Sequence, residues 1–215
     1  MKRWLLALGF ILVGFIAGVV CTLGAVGYLF QHPDSVASLV LPGGTADVLD
    51  PKKRLAEAEE ELAEASNEHE RLCDLGEAAM MSVEAGSLDK ARAYGEEILR
   101  LTPKYAQSPD DSCYGRAVHK GNLALGRVAL RAGDLETAKT HLLAAGRTPG
   151  APELDSFGPN MSLAKELLEK GERDAPIEYF QLCSSFWKMD DGQLRQWTAL
   201  AKDGIVPDFG ANLVY

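Results

Sequence analysis

The stretch Leu125-Gly126-Arg127-Val128-Ala129-Leu130-Arg131-Ala132-Gly133-Asp134-Leu135-Glu136-Thr137-Ala138 decides the fold. Gly133 ends one helical stretch and Asp134 starts the next. Glycine reaches the left-handed backbone of a helix C-terminus without steric cost, and a short polar side chain caps the helix that follows. The same punctuation occurs on either side. Gly86-Ser87-Leu88-Asp89-Lys90-Ala91 precedes a helix expected to end before Pro103. The helix after Gly133 is expected to end before Pro149, and Gly171-Glu172-Arg173-Asp174-Ala175-Pro176 opens a third turn. Seven residues before each glycine stands a small residue, Ala79, Gly126 or Ala164, which lets the two helices of a hairpin pack closely.

This pattern resembles the tetratricopeptide repeat. The segment from Leu125-Gly126 through Gly133-Asp134 to Ala138, closing at Pro149, carries the resemblance best. Leu75 to Pro103 carries it fairly, and Leu163 to Cys183 less well, with Pro176 where the family prefers alanine. The glycine intervals are 47 and 38 residues, against 34 in the family, so the units are irregular, with extra length around Lys104 to Cys113. The resemblance implies stacked antiparallel helix pairs and a concave face made by the first helix of each pair. The expected fold is therefore all-α: about three irregular hairpins, preceded by a transmembrane helix and closed by a C-terminal capping helix.

Outward from the hairpins, residues 52 to 85 are rich in Ala, Glu and Leu and contain no proline. Leu55, Ala58, Leu62, Ala65, His69, Leu72, Gly76 and Ala79 fall at steps of three and four, which predicts one long amphipathic helix. Toward the C-terminus, Asp190 with Gln193 approximates a capping box for a helix bearing Leu194, Trp197 and Leu200 and ending at Gly204. Such a helix covers the end of a repeat stack. The tail, 205 to 215, is too apolar to hang in solvent, and Phe209, Leu213 and Tyr215 are expected to dock on the domain, either sealing its last helices or occupying the groove. Leu125, Val128, Leu142, Leu167, Phe180 and Trp197 are the expected core.

Residues 4 to 30 carry no charge. At 1.5 Å per residue such a helix is roughly 40 Å long, enough to span a bilayer with tilt. The run exceeds the apolar core of a signal peptide, so the weak cleavage pattern at Ala25-Val26-Gly27 and a poor lipoprotein match at Cys21 yield to an uncleaved anchor. Lys2 and Arg3 precede the span and no Lys or Arg follows until Lys52, which places the N-terminus in the cytoplasm and the domain outside it, in the periplasm if the source is bacterial. Gly14, Gly18, Cys21 and Ala25 form a small-residue face that would permit a homodimer. The division is thus anchor 1–30, a Pro/Gly-rich tether 31–51, repeat domain 52–204 and tail 205–215.

The chain has a formal net charge of −9; Lys2 and Arg3 contribute +2 of its positive charge, so the rest carries −11. That balance disfavours nucleic-acid partners. Outside the anchor stand Cys73, Cys113 and Cys183, an odd number, leaving one bridge with a free thiol or, more simply, three separate buried thiols. His32, His69, His119 and His141 belong to no catalytic or metal-binding motif, so no enzyme activity, cofactor or metal is expected. Asn160-Met161-Ser162 is a glycosylation sequon in a secretory setting. One constellation stands out in this acidic domain. Arg116, Lys120, Arg127 and Arg131 recur along one helix with Leu123, and Lys165 could extend them. The resemblance puts that face in the concave groove, where it suits an acidic peptide; a solvated face, or pairing with Glu77 and Glu84, is the plainer alternative. The sequence therefore reads as a membrane-tethered adaptor for protein partners, or alternatively as a structural homo-oligomer joined through the span and the 52–85 helix.

Overall fold

The computed structural model describes residues 50–106 and 112–214. The anchor, the tether up to residue 49 and the small-residue face of Gly14, Gly18, Cys21 and Ala25 lie outside the described residues, as does Tyr215. No helix among the described residues is long and apolar enough to cross a membrane.

Those residues form nine α-helices, one 3₁₀ turn and no strand. The helices are α1 (Pro51–Glu64), α2 (Glu68–Glu84), α3 (Leu88–Tyr105), α4 (Ser112–Arg131), α5 (Leu135–Gly146), α6 (Pro152–Ser156), α7 (Ser162–Glu169), α8 (Asp174–Cys183) and α9 (Gln193–Lys202), followed by the 3₁₀ turn Gly210–Leu213. The described residues are thus all-α, with hairpin turns at the three expected glycines. Gly86, Gly133 and Gly171 have φ of 74°, 84° and 84°. Each turn closes a six-to-one hydrogen bond of the Schellman type, with Ser87 N–H to the Ser82 carbonyl, Asp134 to Ala129 and Glu172 to Leu167.

Small residues sit where the helices approach. Ala79 and Ala164 are fully buried. A Cβ on Gly126 would lie 2.3 Å from Leu163 Cδ2 and 3.3 Å from the Ala138 carbonyl oxygen, so a side chain there would force its neighbours on α7 and α5 to shift. Leu125, Val128, Leu142, Leu167, Phe180 and Trp197 are all buried, as expected.

Expectations about three regions are corrected. The single helix over 52–85 is two helices that pack on each other. Asn67 caps α2 by accepting the Glu70 N–H at 2.9 Å, and the Glu70 carboxylate reaches back to the Ser66 N–H and hydroxyl at 2.9 and 2.6 Å. Asn67 thus caps α2 while Glu70 holds the preceding Ser66, and together these bonds outcompete continuation of the helix through Ala65 and Ser66. His69 then falls on the exposed side, while Leu55, Ala58 and Leu62 are buried within the chain. Pro51 belongs to α1 rather than to the tether: Asp50 is the N-cap and Pro51 opens the helix, where its missing N–H costs nothing.

Second, α3 passes through Pro103 and ends at Tyr105. The proline removes the N–H that would bond the Leu99 carbonyl, and the Thr102 hydroxyl donates to that carbonyl at 3.4 Å. Third, α9 is capped at Gly192 (φ 84°) rather than at Asp190; the Asp190 carboxylate accepts the Leu194 N–H at 3.3 Å from outside the helix.

The tail docks. Phe209 is buried, 4.9 Å from the Trp197 ring and 5.9 Å from Phe180 between centroids. Met161 N–H donates to the Asn212 carbonyl at 2.7 Å, the Ser162 hydroxyl donates to Leu213 O at 3.1 Å, and Leu213 is half-buried. The tail seals the α7–α9 end and stays out of the basic stripe.

Candidate binding cavity beside the basic stripe

Helix α4 runs alongside α2, and the two approach so closely that a Cβ on Gly76 would be 3.2 Å from Lys120 Cβ. The basic stripe lies along this seam. Its long basic side chains end on acidic partners from neighbouring helices. Lys120 Nζ donates to Glu77 at 2.6 Å. Arg127 donates to Glu166 through Nε and Nη2 at 3.0 and 2.7 Å and also to Glu84. Arg131 shares Glu166 at 3.0 Å, and Arg116 Nη1 bonds Glu153 at 3.1 Å. Lys165 pairs with Glu169 of its own helix at 3.7 Å. The pairing with Glu77 and Glu84 is therefore realised. Leu123 has no long polar arm to carry it out of the seam; it is completely buried in the core and contacts no groove.

Arg127 is only 6% exposed in its side chain. Desolvation acts against its charge, and the bonds from Glu166 and Glu84 outweigh that, holding its pKa above the ordinary value. Burial likewise acts to raise the Glu77 carboxyl, but Lys120, helped by Arg54 and Arg116, more than offsets it and the pKa falls. Glu166 Oε2 is buried without a hydrogen-bond partner among the described residues.

Beyond Lys120 the seam opens into a cavity of about 210 Å³. Arg116, Lys120 and Glu153 give it charge; Leu154 and Phe157 give it an apolar wall; His119 and Asn160 close its floor. The wall comes from α6 and the loop to α7, a segment that the repeat pattern did not reveal. Phe157 is 58% exposed. The loop is pinned from three sides. Asn212 Nδ2 donates to the carbonyls of Phe157 and Pro159, both at 3.0 Å; Tyr179 OH donates to the Asn160 carbonyl at 2.8 Å; and the Asn160 N–H donates to His119 Nε2 at 3.2 Å. Asn160 is buried in this arrangement, so the sequon is not presented on the surface.

His119 is fixed as one tautomer. Its Nε2 accepts from Asn160, so Nδ1 carries the hydrogen and donates to the Ala145 carbonyl at 3.2 Å. Burial drives its pKa down to about 4; the Ala145 bond opposes the shift, and Lys120 adds to it. This is a neutral structural histidine, spanning α4, α5 and the loop.

A second depression, of about 360 Å³, lies at the sealed end between Phe157, Trp187, Met189 and the tail. The buried Trp187 Nε1 has no hydrogen-bond partner among the described residues.

Cys73 and Cys113 form a disulfide, with Cα atoms 4.8 Å apart, and Cys183 is a buried free thiol. Three separate thiols, the simpler expectation, is thereby corrected. The bond ties α2 to the first turn of α4, on the seam that carries the stripe. Burial pushes the Cys183 thiol up, far from a reactive thiolate.

The chain matches no protein-family model, no curated protein and no solved structure.

Proposed function

We propose that the protein is a membrane-tethered helical-repeat adaptor of tetratricopeptide-like build, not an enzyme, which docks acidic protein partners on the extracytoplasmic side of the membrane. The anchor reading rests on the uncharged run 4–30 and the cations before it. The Cys73–Cys113 disulfide suits that orientation, because such bonds persist in oxidising compartments.

One observation carries the docking site. Arg116 and Lys120 converge on a cavity with an apolar wall, and Arg116's side-chain partner, Glu153, is 48% exposed on a five-residue helix. A partner carboxylate replaces Glu153 on the Arg116 guanidinium, while an apolar side chain of the same partner enters against Leu154 and Phe157. Arg127, held by two carboxylates, supports the seam and stays out of the exchange. Exchange of one carboxylate for another leaves no buried charge unpaired, which keeps its cost small.

The test is binding of an acidic peptide with a free C-terminal carboxylate. Glu153→Gln removes the internal competitor and should tighten binding several-fold, whereas Arg116→Ala should weaken it. No change in either variant would sink this site.

A further inference from the structure

The disulfide has a neighbour that its structural role does not explain. His69 and Cys73 stand four residues apart on α2, on one helix face, and Cys113 faces them from the first turn of α4. One imidazole nitrogen and the two sulfurs all lie within 4.8 Å of one another. Zinc is bound at about 2.3 Å by thiolate and about 2.0 Å by imidazole, so ligand atoms around a tetrahedral ion are separated by roughly 3.5–3.8 Å. Once the sulfurs are no longer bonded to each other, small rotations about the cysteine side chains bring all three atoms to that spacing.

Two thiolates and one neutral imidazole balance the charge of a divalent ion. Soft sulfur ligands select zinc over the hard cations magnesium and calcium. Arg116 Nη2 donates to the Cys73 carbonyl at 3.3 Å, a further tie between α4 and the backbone that carries Cys73. The Tyr105 ring packs against His69, with centroids 5.3 Å apart, and orients the imidazole. His69 is exposed while both cysteines are half-buried, so the site opens to solvent on the histidine side.

We propose that His69, Cys73 and Cys113 form a redox-gated zinc site. A small-molecule or protein dithiol reduces the disulfide: the dithiol becomes its own disulfide, and Cys73 and Cys113 take up its two hydrogens as thiols. Zinc binding then releases those two protons, and the ion is held by two thiolates and the His69 imidazole, with a fourth position open to water. In either state α2 is tied to α4, by a covalent bond when oxidised and by the metal when reduced.

Cobalt(II) is the spectroscopic probe, in full-length Cys21→Ser protein held in detergent so that the remaining sulfur in the N-terminal segment does not contribute. The reduced protein should take up one equivalent, with sulfur-to-cobalt charge-transfer absorption that zinc then abolishes; the oxidised protein should take up none. His69→Ala, a change at an exposed position, should weaken affinity by roughly tenfold or more, the scale on which metal sites respond to a changed ligand environment. Zinc should also raise the unfolding midpoint of the reduced chain. Absence of charge-transfer absorption in the reduced protein, an unchanged affinity in His69→Ala, or an unchanged midpoint with zinc would each overturn the proposal.

Discussion

His119 shows how a single side chain couples solution pH to this fold. Its neutral ring accepts one backbone hydrogen bond and donates another, so protonation breaks the contact with Asn160. The folded pKa, about 4, lies below the ordinary 6.5, so between those values the unfolded chain binds the proton more readily. Stability contributed at this position is complete above about pH 6.5 and falls as pH drops toward 4, by up to about 3 kcal/mol. Denaturant titrations at stepped pH should show that slope, and His119→Gln should flatten it. Gly126 is the steric counterpart. A methyl group there meets Leu163, so Gly126→Ala should destabilise the domain by about 1–3 kcal/mol, read from the unfolding midpoint. The small residue at 126 was legible because it stands at a fixed distance from Gly133. The role of His119 was not, since its partners come from α5 and from a loop 41 residues away in sequence.

At the scale of elements, local chemistry set the turns and long-range packing set the rest. Gly86, Gly133 and Gly171 announced their hairpins because only a left-handed residue closes that turn, a constraint written into adjacent residues. The Ser66–Asn67 break was equally local, yet strong helix formers on both sides masked it. Asn67→Ala should cost about 1 kcal/mol through loss of the cap of α2. The disulfide was illegible for a different reason. Cys73 and Cys113 are 40 residues apart, and only the packing of α2 against α4 brings them together. Closing a loop of that length removes unfolded-state entropy worth about 4 kcal/mol in the chain-entropy account. Cys73→Ser with Cys113→Ser should lower stability by about that amount without loss of helical circular dichroism at low temperature. The basic stripe was legible as a pattern on α4, but its neutralisation by α2, α6 and α7 belongs to tertiary structure.

At the scale of the whole molecule, the aromatic cluster of Phe180, Trp187, Trp197 and Phe209 closes one end of the helical stack, with the C-terminal segment as part of the seal. Removing 205–215 exposes that cluster and takes away the bonds from Asn212 to the cavity loop, so it should lower the unfolding midpoint and loosen the cavity together. The cavity is in turn the centre of the proposed function: a domain whose seam of paired charges opens where Arg116 and Lys120 meet an apolar wall. The most direct test places a photo-crosslinking residue at Phe157 in native membranes and compares the native charges with Arg116→Glu plus Lys120→Glu. The adaptor account predicts a discrete partner adduct that charge reversal abolishes and that an acidic peptide competes away. An adduct indifferent to charge reversal, or crosslinks to the protein itself alone, would contradict it.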